Sequence, residues 1–145
     1  MRPINQFLSV LKFRQPSSSS DVLSPDAFQT VLNTERARSD RSGWPFTLVV
    51  IKVARPEQAQ GITNLLLDVV QERTRQIDYK GWYDGDLGLI LPYTHADNAA
   101  HVLNAIEDRF TTRARKNAGD IGLRPELEYT VYCYPPSLDR KVETV

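Results

Sequence analysis

The sequence predicts an α+β fold, a ferredoxin-like β-α-β-β-α-β antiparallel sheet with one additional helix leading into it. Three observations carry this. The near-continuous β-branched run Phe46–Val53 reads as a central strand buried on both faces. Asp84-Gly85 separates the strand-like runs Ile77–Tyr83 and Leu87–Pro92, a strong signal for a two-residue hairpin. Amphipathic helical stripes lie on either side of that hairpin, and a last alternating run, Glu126–Tyr134, closes the pattern. Right-handed crossovers then put both long helices on one face and give the strand order 4-1-3-2.

The leading helix opens at Ser24-Pro25-Asp26, where serine caps, proline suits the first turn and aspartate complements the dipole. Phe28, Val31 and Leu32 form its apolar stripe, and Ser42-Gly43 ends it. This helix is extra to the split β-α-β pattern and is expected to cover an end of the domain or to mediate dimerisation. Arg55-Pro56-Glu57 starts the second helix, whose stripe is Ala59, Ile62, Leu65, Leu66, Val69 and Val70 and which is expected to run to about Arg75. Thr94-His95-Ala96-Asp97 has capping-box spacing with Asp in place of Glu. The helix behind it carries Ala99, Val102, Leu103, Ile106 and Phe110 on one face and is expected to fade in the polar run Thr111–Gly119. In the last strand Leu127, Tyr129, Val131 and Cys133 share one side, and Pro135-Pro136 stops it.

Residues 1–23 read as an N-terminal arm and linker, and residues 24–145 as the folded domain. The arm, Met1–Gln15, mixes Ile4, Phe7, Leu8, Val10, Leu11 and Phe13 with Arg2, Lys12 and Arg14 and has no acid. Phe7, Leu8 and Leu11 share a helical face, so the arm reads either as a basic amphipathic segment for a membrane surface or partner, or as a plain terminus. Pro16 and Ser17–Ser20 form the tether.

Eighteen basic and eighteen acidic residues among 145 cancel, which argues against a nucleic-acid partner held through phosphates. Tyr79, Trp82, Tyr83 and Tyr93 crowd the hairpin and could stack bases, but the aromatic-glycine pattern of RNA-binding split βαβ domains is missing, so cross-strand packing or a protein interface is the expected role. Cys133 is the only cysteine, which excludes an internal disulfide and any Cys-based zinc site and fits a reducing, cytoplasmic location. No apolar run approaches the roughly 20 residues of a membrane helix. His95 and His101, six apart, do not share a helix face for a metal. No catalytic residue, metal or cofactor is expected.

The chain resembles a degenerate GGDEF, or diguanylate cyclase, domain over about residues 24–134. Glu35-Arg36-Ala37-Arg38-Ser39-Asp40-Arg41 looks like the Glu-xx-Arg-Ala-xx-Arg helix that leads into such domains. Phe46–Val53 falls where the family's first strand falls. Arg75-Gln76-Ile77-Asp78 stands ahead of a strand-turn-strand as the family's R-x-x-D does, and Leu89-Ile90-Leu91-Pro92-Tyr93-Thr94 with Ala99-Ala100 looks like its Leu-Pro turn and following helix. The resemblance implies a ferredoxin-like fold of bacterial signalling ancestry. Such domains usually add a further helix and strand, and some degenerate ones are parts of larger signalling or polysaccharide-synthesis proteins, as this chain could be.

The departures bear on activity. The resemblance places two metal-binding acids after the first strand, where this chain has Lys52-Val53-Ala54. A lysine repels a divalent cation and an alanine offers no oxygen. The family's nucleotide-gripping loop is absent, and the signature reads Tyr83-Asp84-Gly85-Asp86-Leu87. Depending on where a one-residue gap falls, Asp84 or Asp86 takes the place of the old metal carboxylate. Phosphodiester formation leans on paired metal ions, so the expectation is a non-enzymatic regulatory or interaction domain that dimerises or docks a protein. Two alternatives stand beside it. One is a cyclic di-GMP receptor through Arg75 and Asp78, a guanidinium fork for guanine's Hoogsteen edge and a carboxylate for its N–H groups. A second arginine would then come from Arg73, from Arg38 or Arg41 on the leading helix, or from a second subunit. The other is a residual nucleotidyl cyclase. Against the receptor stands a bland role for the pair, with Arg75 complementing the helix end and Asp78 starting a strand.

Overall fold

The computed structural model describes residues 21–54, 61–118 and 126–136. The arm of residues 1–15, its tether and the expected helix start at Arg55-Pro56-Glu57 lie outside them. The elements are α1 (Pro25–Ser42), β1 (Phe46–Ala54), α2 (Ile62–Arg73), β2 (Tyr79–Tyr83), β3 (Asp86–Pro92), α3 (Ala96–Ala118) and β4 (Glu126–Tyr134). The four strands form one antiparallel sheet in the order β2-β3-β1-β4, as the chain pattern predicts.

Local chemistry sets the element ends. The Ser24 side chain accepts from the Ala27 N–H at 3.2 Å, and Gly43 at φ 81° donates its N–H to the Ser39 carbonyl, closing α1 at both ends. Asp84 and Gly85 take φ 50° and 83°, the left-handed pair that a two-residue hairpin needs. Three boundaries differ from expectation. α2 stops at Arg73, and β2 starts at Tyr79 rather than Ile77, because residues 75–78 fold into a turn closed by the Asp78 N–H on the Arg75 carbonyl. α3 continues through the polar run to Ala118, since Phe110 and Ala114 are still buried against the sheet and Arg113 reaches across to Glu72 on α2.

The sheet is packed on both faces. Val49, Ile51, Leu87, Leu89, Leu91, Tyr129 and Val131 point to one side, where α2 and α3 supply Leu66, Val69, Val70, Leu103, Ile106 and Phe110. Phe46, Leu48 and Ile90 point to the other side and meet Phe28 and Leu32 of α1. The leading helix therefore covers a corner of the sheet's second face. β1 is accordingly buried on both faces over Phe46–Val49 and opens to solvent at Lys52.

Two glycines make this packing possible. Gly81 and Gly88 are cross-strand partners, and the Phe28 ring lies over both. A Cβ on Gly81 would stand 2.5 Å from the ring, and one on Gly88 2.6 Å. Phe28 is fully buried and packs edge-on against Tyr83, so it has nowhere to withdraw. Leu23 then runs beside the same strand, its N–H donating to the Lys80 carbonyl and its carbonyl accepting from the Trp82 N–H. Gly81→Ala or Gly88→Ala should destabilise the domain by about 1–3 kcal/mol through overpacking, and Phe28→Leu should recover part of that in the Gly88→Ala background. Urea unfolding of the two single variants and the double variant measures both effects.

Candidate functional site

Arg75 and Asp78 stand at the turn between α2 and β2. The Asp78 carboxylate is nearly sealed, with 2% of its side chain exposed, and Arg75 engages it on both oxygens. The Arg75 backbone N–H donates to Oδ2 at 2.7 Å, and its Nη2 donates to Oδ1 at 2.9 Å. The same Nη2 also donates to the Pro92 carbonyl and to the Thr94 hydroxyl, each at 2.9 Å. Thr94 in turn donates to Pro92, and Thr47 on β1 donates to the Thr94 carbonyl at 2.7 Å. The R-x-x-D turn is thus tied to the end of β3, the start of α3 and the central strand. Thr94, read from sequence as a helix cap, spends its hydroxyl in this cluster. Arg75 keeps 52% of its side chain exposed at the rim.

Next to this clamp lies a group of exposed aromatics. Tyr93, between Pro92 and Thr94, is held at φ 57° with its ring half exposed. The Arg38 guanidinium of α1 lies over that ring at 4.3 Å from its centre, and Trp44 meets it edge-on at 6.1 Å. Arg38 is fixed from behind by Glu35, which accepts at 2.9 Å. Tyr79 opens β2 at the same end. Burial, then the nearby Glu35 carboxylate, hold its phenol above the usual range. Arg38, one of the candidate second arginines, is thereby brought to the end of the domain that Arg75 occupies. The pattern signal for this group was weak, because Arg38, Trp44, Tyr79 and Tyr93 come from four separate segments.

A second feature is a shallow cavity of about 110 Å³ between the hairpin and the first turns of α2. Ile51, Val53, Thr63, Trp82, Asp86 and Leu87 are among its lining residues. Asp86, not Asp84, faces it. Lys52 is exposed and Ala54 half-buried at the end of β1. Among the described residues no three His, Cys, Asp or Glu side chains gather as metal ligands. His95, just before α3, and His101 on α3 are both exposed, and Cys133 is half-buried with its sulfur 3.9 Å from the Thr47 hydroxyl. Arg109 and Arg113 face Glu72 across the α2–α3 seam, and the Arg113 hydrogen bond, helped by the charges of Arg113, Arg109 and Arg73 and opposed by burial, holds the Glu72 carboxyl below its ordinary value.

The fold is similar to that of solved diguanylate cyclase structures. The chain has the GGDEF fold. Diguanylate cyclase SiaD from Pseudomonas aeruginosa, solved with its activator SiaC, is 22% identical with a TM-score of 0.67 over 92% of this chain and 54% of that one. The chain thus spans about half the length of SiaD. The GGDEF domain of DgcB from Caulobacter crescentus, solved with c-di-GMP, is 16% identical with a TM-score of 0.69 over 85% of this chain and 80% of that one. A DGC protein from Thermotoga maritima is 18% identical with a TM-score of 0.64 over 83% of this chain and 86% of that one. No protein-family model matches the sequence, and no curated protein matches it.

These matches correct one expectation, that the chain is no enzyme. The solved structures that share the GGDEF fold here are diguanylate cyclases. At 16–22% identity Lys52 and Ala54 have no unique counterparts in these enzymes. Inactivity therefore does not follow from the residues at the end of β1.

The clamp makes a stability prediction. Arg75→Ala removes four side-chain hydrogen bonds, two of them to a buried carboxylate, and should cost about 1.5–3 kcal/mol. Arg75→Lys should cost nearly as much, because one ammonium cannot span Asp78, Pro92 and Thr94 as a planar fork does. Denaturant midpoints of the two variants against the parent chain give the comparison.

Proposed function

We propose that this GGDEF-fold domain is a regulatory interaction domain of the cytoplasm that docks a protein partner through the Trp44–Tyr93–Arg38 surface. The observation that carries the reading is the exposure of Trp44 and Tyr93, 60% and 51%, on a base that is already rigid. Tyr93 sits in a left-handed backbone conformation that costs of order 1–3 kcal/mol in a non-glycine residue, and the clamp and the Arg38 stack hold it there. Tryptophan, tyrosine and arginine dominate binding hot spots because they bring large area at low entropic cost. SiaD, a chain of the same fold, was solved bound to a protein activator, which supports the reading by analogy. The unpaired Cys133 agrees with a reducing compartment.

A second reading has its own observation. Arg75 leaves half of its side chain at the rim of the same surface, and DgcB was solved with c-di-GMP. Cyclic di-GMP bound through Arg75 and Asp78 would have to draw on a carboxylate already committed to the turn, so the geometry favours the protein partner.

Affinity capture from the protein's own cells, quantified against the parent chain, tests the first reading. Trp44→Ala and Tyr93→Ala should each reduce capture of the same partner by roughly thirtyfold, the scale of a 2 kcal/mol hot spot, with unchanged melting temperature. Calorimetry with cyclic di-GMP decides the second. Heat in the micromolar range, about −8 kcal/mol, that disappears in both Arg75→Ala and Arg75→Lys would replace the protein-docking reading with a receptor.

A further inference from the structure

The two edges of the sheet are treated differently. The β2 edge is covered by Leu23, which exchanges hydrogen bonds with Lys80 and Trp82. On the far side, β4 pairs with β1 along all nine residues, and among the described residues no strand lies on its outer edge. Native proteins usually blunt such an edge with lysine, proline, a bulge or short length. Within Glu126–Tyr134 there is none of these. The strand is long, carries no proline or lysine, and is built from Tyr, Thr, Val and Leu. Its charges are two glutamates, Glu126 and Glu128, both in its first half.

From this placement we infer that β4 is a self-pairing edge, joining two copies of the chain through antiparallel β4–β4 hydrogen bonding into one eight-stranded sheet. Two-fold symmetry requires the same patch on both partners. Full overlap of a nine-residue strand with its own copy centres the axis on Thr130. Thr130 then faces Thr130 of the other copy, Glu128 faces Tyr132, and Glu126 faces Tyr134. No glutamate meets a glutamate, so the register sets no like charges directly opposite one another, and the central Thr130 pair is a favourable one. Centring the overlap on Glu128 would set two carboxylates face to face.

The same register keeps the faces of the sheet continuous. Glu128, Thr130 and Tyr132 pair with Lys52, Val50 and Leu48, on the side that α1 only partly covers. Tyr129 and Val131 belong to the core under α2 and α3. A one-residue slip would join a core face to an outer face, which the period of two forbids energetically. Tyr132, 46% exposed, gains a neighbour in the pairing. The chain's zero formal charge adds no long-range repulsion between copies. Tyr134, at one end of this edge, stacks on Phe46 and donates to Asp40, but Trp44 and Tyr93 take no part in the pairing, so different variants test the two readings.

The test is light scattering on the full chain after size exclusion, at roughly 100 µM, where even a weak pairing of ~−6 kcal/mol is populated. The expected mass is twice 16.5 kDa. Thr130→Lys and Thr130→Glu, each placing like charges opposite one another, should run as monomers with native circular dichroism. Mixed one to one, the two variants should recover the dimer, because lysine then faces glutamate. Trp44→Ala should leave the dimer unchanged. A parent chain that stays monomeric, or a Thr130→Lys variant that stays dimeric, overturns the inference. Should the charged variants not fold, Thr130→Cys in a Cys133→Ser background reads the same register. Oxidation should link two chains through residue 130, and failure to link overturns the pairing.

Discussion

The Arg75 guanidinium ties together segments of this domain that lie far apart in the chain. One guanidinium joins the turn after α2, the end of β3 and the residue that precedes α3, while Thr47 ties the same cluster to the central strand. Its buried partner, Asp78, is what makes the arrangement binding rather than optional. A carboxylate taken out of water must keep its donors, so the turn around it has one conformation. That conformation also determines where Tyr93 stands, since Tyr93 lies between the two residues that Arg75 grips. The aromatic surface inherits its rigidity from the clamp.

The second constraint is steric. An antiparallel sheet can leave one face to solvent, but here both faces carry apolar side chains and both need cover. α2 and α3 cover one face in the way the β-α-β connections dictate. α1 reaches part of the other because two facing glycines leave a saddle for Phe28. The leading helix is thereby locked to the β2–β3 hairpin, and movement of either must be felt by the other. Hairpin, leading helix and clamp form one mechanical unit at one side of the sheet, with β4 at the other.

The GGDEF fold is shared with diguanylate cyclases at TM-scores of 0.64–0.69, yet the side chains that face the hairpin cavity are largely apolar, with Asp86 and Thr63 as polar exceptions. A scaffold of this kind hosts function in its surface residues, and these are free to diverge while the core is kept. The described surface of this chain presents the Trp44 and Tyr93 rings, the Arg38 guanidinium over Tyr93 and the half-exposed Arg75.

Much of the fold was legible before any coordinates, for reasons that are local. The β-branched run at Phe46, the Asp-Gly turn and the 3.6-residue stripes of α2 and α3 each encode their own conformation within a few residues, and connection handedness then leaves one strand order. The R-x-x-D spacing singled out Arg75 and Asp78, but sequence separation hid what they do. Thr94 and Pro92 are 19 and 17 residues from Arg75, and only folding puts their oxygens within reach of one guanidinium. Likewise Phe28 and the glycines at 81 and 88 carry no shared pattern, because close packing of a ring on backbone is a property of three-dimensional contact. The sequence by itself determined the elements and their order. The tertiary structure decided which side chains meet, since burial, desolvation and steric fit act between residues that the chain holds far apart.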